Sequence, residues 1–211
     1  MKQLLLDIKP DALPSLQNFV IGRNAEALNS LKALQNIALQ NISLKNMSAQ
    51  PKFIYFWGNK GSGKSHLLQA CKALNITVVD DVHLLNNESQ IDLFNQYNQL
   101  KEAGKPFVTA GNNSPSQMNL RGDLATRLAW GLVYQLQPLN DAEKALALNN
   151  HAIERGMRLP IEVLDYCLRY LRRDLPTLMA TLDALDVWSL TMQKPITVLM
   201  LRKLLQLNLE L

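Results

Sequence analysis

At 211 residues the chain has room for one large domain, or for a core with a small accessory lobe. Apolar residues make up 47% and charged residues 19%, ample material for a buried core, and no apolar run approaches the roughly 18 residues that a membrane span needs. Lys and Arg outnumber Asp and Glu by 22 to 18, a mild basic excess that permits contact with nucleic acid without arguing for it, since no basic cluster or recognition helix accompanies it.

Taken in chain order, residues 1–20 read as an extended arm, with prolines at 10 and 14 and no sustained period. The apolar start is broken at Asp7, far short of a signal peptide. Residues 23–40 carry an amphipathic helical pattern through Ala27, Leu28, Leu31, Leu34 and Leu39. After a polar connection ending at Pro51, Phe53 to Trp57 is predicted as a fully buried strand that runs directly into glycines. A helix is expected from Lys64 to about Leu74, a second buried strand over 76–79, and a helix over 88–103 closed by Gly104. Strands follow at 106–110 and 132–136. Strands alternating with helices imply an α/β core with a mostly parallel sheet.

From Asp141 onward only helical patterns remain, with starts at Asp141, Pro160, about Asp174 and Pro195. Ile161, Leu164, Leu168 and Leu171, and likewise Leu175, Leu178, Leu182 and Leu185, repeat at core-forming spacing. The expected division is an arm over 1–14, an α/β nucleotide-binding core over 15–139 and an all-helical lobe over 140–211. Cys71 and Cys167 match no metal or redox spacing and read as buried thiols of a cytoplasmic protein.

The chemistry lies in Gly58, Asn59, Lys60, Gly61, Ser62, Gly63, Lys64 and Ser65, which fit the Walker A pattern G-x-x-x-x-G-K-S. Glycines let the backbone curl so that successive N–H groups surround phosphate oxygens, and the following helix aims its positive end at the same anion. Lys64 reaches the terminal phosphates, and the Ser65 hydroxyl is placed to ligate Mg²⁺. The strand ending in Asp80 and Asp81 is the companion: Asp80 for the metal, Asp81 to orient or deprotonate the attacking water. Asn112 or Asn113, with Asn112 preferred, ends the next strand as a polar tip near the γ-phosphate. A simple Gly-Asn-Asn turn would look the same. Arg127 is by itself an ordinary surface charge.

These parts in this order resemble the AAA+ ATPases, and most closely their DnaA branch of replication initiators and relatives. The residues responsible are Gly-Lys-Ser-His-Leu-Leu-Gln-Ala (63–70), Val-Val-Asp-Asp-Val (78–82), Thr-Arg-Leu-Ala-Trp-Gly (126–131) and Tyr-Gln-Leu-Gln-Pro-Leu (134–139). The stretch 124–139 is similar to the Hda family of initiator inactivators. So is the arm, where Gln3, Leu4, Leu6 and Ile8 match a peptide that grips the sliding clamp. The resemblance implies bound ADP or ATP with Mg²⁺ and nucleotide contacts from Gly58 through His66. It also makes Asn112 the first sensor, Arg127 an arginine finger completing a neighbour's ATP site, and the helical lobe a lid. The implied partners are the DnaA initiator, the β subunit sliding clamp of DNA polymerase III and a second copy of the chain, with DNA reached mainly through the clamp and no membrane.

Two departures matter. Only sixteen positions separate Lys64 from Asp80, so one edge strand of the family sheet is expected to be missing. The lid's sensor arginine falls at Pro176, which cannot contact phosphate; Arg172 or Arg173 lies nearby but out of register. The chain also stops at Leu211 without room for the initiator's helix-turn-helix domain. The expected function is therefore a clamp-tethered regulator that promotes hydrolysis of initiator-bound ATP and has weak turnover of its own. The alternatives are an autonomous AAA+ ATPase, such as a helicase loader or remodeller, and a scaffold stabilised by nucleotide.

Overall fold

The computed structural model describes residues 13–39, 52–171 and 174–209. Its contacts divide the described chain after Pro138 into an α/β unit beginning at Pro14 and a helical unit.

In the α/β unit, α1 (Ala25–Leu39), β1 (Phe53–Trp57), α2 (Lys64–Ala73), β2 (Thr77–Val79), α3 (Asn87–Glu102), β3 (Phe107–Gly111), α4 (Gly122–Ala129) and β4 (Leu132–Gln135) follow one another. The described strands form one parallel sheet in the order β2-β3-β1-β4. Alternation along β1 and β3 separates two cores. Ile54, Phe56, Val108 and Ala110 face Leu67, Leu68 and Cys71 of α2 and Leu28, Leu31 and Leu34 of α1. Tyr55 and Phe107 face Leu93 and Tyr97 of α3 and Leu124 and Leu128 of α4. Both central strands are thus buried on both faces, which is why they read as continuous apolar runs.

The short path from Lys64 to Asp80 is made by a cap. α2 ends in a Schellman turn, with Asn75 at φ 58° and its N–H donating to Lys72 O, while Ile76 N–H donates to Cys71 O at 3.1 Å. Ile76 and Cys71 bury in the same cluster, so the chain turns straight from helix into β2. No strand intervenes between them, and β2 becomes the sheet edge. This corrects the expectation of a buried strand at 76–79: only Ile76 is buried, and Thr77–Val79 are half-exposed, β2 pairing on one side only among the described residues. β4 is the opposite edge, with Val133 and Gln135 exposed.

The described part of the stretch that reads as an extended arm over 1–20 also departs from that expectation. Leu16 and Phe19 are buried in the core shared by α1 and α2, and Asn24 is pinned to the end of β4, its amide donating to Gln137 O at 2.9 Å and accepting from Gln137 N–H at 2.8 Å. No helical or strand period announces this stretch, because its burial comes from long-range contacts. Gln3, Leu4, Leu6 and Ile8, expected to bind a clamp, and Arg172 and Arg173 lie outside the described residues.

The helical unit comprises α5 (Asp141–Glu154), α6 (Ile161–Tyr170), α7 (Leu175–Met192) and α8 (Val198–Leu209). Asn140 and Glu143 form a capping box on α5, and Asp174 caps α7 by accepting from Thr177 N–H, each worth about 1 kcal/mol. α8 begins at Val198 rather than at Pro195, because Thr197 Oγ1 accepts from Met200 N–H and sets the start there. The stripe predicted on α6 holds at Leu164, which is buried, and at Leu168 and Leu171, which pack half-buried against the same core, but not at Ile161, which is 63% exposed; Val163 and Cys167 complete the buried face. Leu178, Leu182 and Leu185 of α7 are fully buried. His151 Nε2 and Arg155 Nε both meet Asp183 Oδ1, at 2.6 and 3.1 Å, tying α5 to α7.

Candidate nucleotide site

The site sits at the carboxyl ends of β1, β2 and β3, where an open parallel sheet places its ligand-binding loops. The loop after β1 is shaped by glycine. Gly58 (φ 151°) lies so close to Leu136 O that a Cβ would collide with that carbonyl. Gly63 (φ 94°) caps α2, and a Cβ there would stand 2.7 Å from Phe19 Cε2. With no side chain at its N-cap, α2 leaves its first-turn N–H groups for an external acceptor. The Ser62 hydroxyl is buried in the same loop without a hydrogen-bond partner. Asn59, Lys60 and Gly61 form the exposed crown.

Lys64 is 8% exposed, and its Nζ donates to the carbonyls of Gly58 at 2.6 Å and Asn59 at 3.2 Å. Burial lowers its pKa, and the charges of Asp80 and Asp81 pull the other way. Ser65 Oγ donates to Asp80 Oδ2 at 2.8 Å, so the hydroxyl and the carboxylate proposed for the metal share one point in space. Asp80 Oδ1 accepts from Asp81 N–H at 2.9 Å. A cradle kept free of Cβ atoms, a buried orphan hydroxyl, a helix N-terminus and a hydroxyl–carboxylate pair fit a nucleotide polyphosphate with Mg²⁺.

At the tip of β3 the two asparagines separate. Tyr55 Oη donates to Asn113 O at 2.8 Å and fixes the turn, while the Asn112 side chain faces His83, with Nδ2 2.6 Å from Nε2. His83 lies on a single 3-10 turn over Val82–Leu84, and its Nδ1 is 3.9 Å from Asp81 Oδ1. Burial pushes the Tyr55 hydroxyl far above the ordinary phenol range, which keeps it a donor.

Loop, carboxylates and Asn112 are therefore gathered, while two residues grouped with them on sequence stand apart. The His66 ring turns away to Ser15 O, at 3.0 Å, and to Phe19, leaving only its backbone in the first turn of α2. Arg127 stands on α4, its guanidinium 4.1 Å from the Trp130 ring centroid and 5.5 Å from that of Phe94. Three residues of the site escaped the sequence reading: Phe19, Tyr55 and His83. Only His83, two positions after an Asp-Asp pair, carried a local signal.

The model of the bacterial DnaA ATPase domain matches residues 71–135, and the model of the Hda lid domain matches residues 141–205. Domain III of the Thermotoga maritima replication initiation protein DnaA is similar in structure, with 20% identity, a TM-score of 0.62 and coverage of 91% of this chain and 95% of that one. AMPPCP-bound DnaA from Aquifex aeolicus has a TM-score of 0.64 at 20% identity; 84% of this chain is covered, which spans 66% of that one. The Thermotoga maritima RuvB Holliday junction branch migration motor shares the fold at 14% identity, with a TM-score of 0.58 and 93% and 71% coverage. With a DnaA ATPase-domain match on its core and an Hda lid match on its helical unit, the chain is a DnaA/Hda-like AAA+ protein.

Proposed function

We propose that this protein is a nucleotide-binding regulator of chromosomal replication initiation, which holds ADP or ATP with Mg²⁺ and presents Arg127 to ATP bound by a DnaA initiator. The Hda lid match over residues 141–205 carries the reading. In the chain's own site Lys64 and the first turn of α2 bind the phosphates, Ser65 and Asp80 hold the metal, Asp81 orients water and Asn112 meets the γ-phosphate. Bound Mg²⁺ neutralises charge on the phosphate oxygens. Arg127 has no contact with that set; it is held on α4 against Trp130 and Phe94. An arginine supplied in trans is worth ~10³–10⁵ in turnover in other nucleotide hydrolases. Pro176 occupies the first turn of α7, where a proline fits the backbone but offers no charge to phosphate. This supports weak turnover by the protein itself.

The arm residues Gln3, Leu4, Leu6 and Ile8 dock on the sliding clamp and raise the local concentration near the initiator. Initiator ATP turnover on clamp-loaded DNA should rise when the protein is added. Arg127→Ala should lose that stimulation and keep its nucleotide affinity, whereas no stimulation by the wild type rejects the regulator. Replacing Gln3 and Leu4 with Ala should abolish clamp binding without moving the melting temperature. The second reading, an autonomous AAA+ ATPase, draws support from the complete gathering of Ser65, Asp80, Asp81 and Asn112. Hydrolysis by the purified protein at ~1 s⁻¹ or faster, within the ordinary enzyme range, would favour it.

A further inference from the structure

The amide of Asn112 and the imidazole of His83 constrain each other. An amide nitrogen only donates, so the 2.6 Å contact makes His83 Nε2 the acceptor. In the neutral ring the hydrogen then lies on Nδ1, which is buried, has no hydrogen-bond partner and stands 3.9 Å from Asp81 Oδ1. Asp81 itself adopts φ 49° and ψ 42°, a conformation that non-glycine residues seldom take. That turn starts the 3-10 segment through the Leu84 N–H to Asp81 O bond at 2.8 Å and brings His83 back beside the carboxylate. Asp81, His83 and Asn112 thus form a line across the tips of β2 and β3.

We propose that His83 is a positioning residue that orients the Asn112 amide and so sets how well the protein distinguishes a nucleoside triphosphate from a diphosphate. The inference rests on Asn112 meeting the γ-phosphate. With its Nε2 lone pair facing the amide, His83 favours the orientation in which nitrogen lies on its side; a rotated amide would need the Nε2–H tautomer, whose bare Nδ1 would face the Asp81 carboxylate 3.9 Å away. The fixed amide keeps its second N–H free for an anion. Without His83 the amide has two orientations of similar energy, one of which presents its oxygen to phosphate. ADP, lacking the γ-phosphate, does not report on this choice.

The test is calorimetry of the full chain with Mg-ADP and with Mg-AMPPCP. A hydrogen bond to a charged group corresponds to roughly tenfold in affinity. His83→Leu is expected to weaken AMPPCP about tenfold while leaving ADP within a factor of two, matching Asn112→Ala. His83→Gln, which keeps an acceptor, should restore most of the loss. The double variant should lose no more than either single one, as for residues acting through one contact. An unchanged AMPPCP-to-ADP ratio in His83→Leu, equal weakening of both nucleotides, or additive losses would each overturn the proposal. Asn112→Ala with an unchanged ratio would instead reject Asn112 as the γ-phosphate contact, and the inference with it. A readout without mutation is the ¹⁵N tautomer signature of His83 in the wild type: the Nδ1–H form is expected, and the Nε2–H form rejects the arrangement.

Discussion

At the scale of single residues the phosphate loop depends on one buried cation. Lys64 is the loop's only lysine in the helix-forming half, and the carbonyls of Gly58 and Asn59 keep it solvated where water is scarce. A phosphate must therefore exchange those bonds for its own, and the gain is the difference between charged and neutral acceptors. Lys64→Ala removes both, leaving two carbonyls short of a donor and the phosphates short of a charge. Mg-ADP affinity is expected to fall at least tenfold, about 1.4 kcal/mol. Calorimetry returning equal affinities for the two proteins would remove the nucleotide site from this loop. Arg127 is the counter-example: its guanidinium lies over the ring faces of Trp130 and Phe94, and among the described residues no carboxylate holds its five N–H donors in an ion pair.

At the scale of elements, the turn that shortens the sheet is the sharpest test. Asn75 takes the left-handed conformation that asparagine tolerates and alanine resists. Asn75→Ala should lower stability by about 1 kcal/mol, seen as an earlier urea midpoint at unchanged slope. Asn75→Gly should not. Equal midpoints for all three proteins would mean that the cap contributes nothing. This turn also marks where sequence is legible. Phe53–Trp57 running into Gly58, and Lys64 followed by Asp80, could be read directly, since strand, glycine loop and helix start are local patterns. The edge character of β2 and β4 could not, because a short apolar run looks the same at the centre of a sheet and at its rim. On α6 Leu164, Leu168 and Leu171 pack where their helical spacing puts them, but that spacing does not show that Ile161 points outward while Val163 and Cys167 are buried. Phe19, Tyr55 and His83 acquire their roles only when distant segments meet.

At the scale of the whole molecule, the two cysteines serve as built-in probes of how the α/β and helical units open. Cys71 lies on α2, directly after the phosphate loop, and Cys167 on α6; both are buried, and burial pushes their thiols up to about 12 and about 11. An acid group lifted in the folded state keeps its proton after the unfolded chain has released it. Stability is thus unaffected at neutral pH and falls as pH rises above the ordinary thiol value of about 8.5. At neutral pH neither thiol should react with a thiol reagent until its unit opens. ADP held by the phosphate loop stabilises the closed α/β unit by about 2.7 kcal/mol at a hundredfold excess over Kd. Labelling of Cys71 should then slow by up to about 100-fold. Under the proposed function Pro176 offers the phosphates no charge from the helical unit, so Cys167 is expected to slow less than Cys71. Mass-resolved labelling of the two cysteines, with and without Mg-ADP, decides the matter. Equal slowing would show that the units open as one cooperative body, and no slowing at Cys71 would show that the nucleotide does not engage α2.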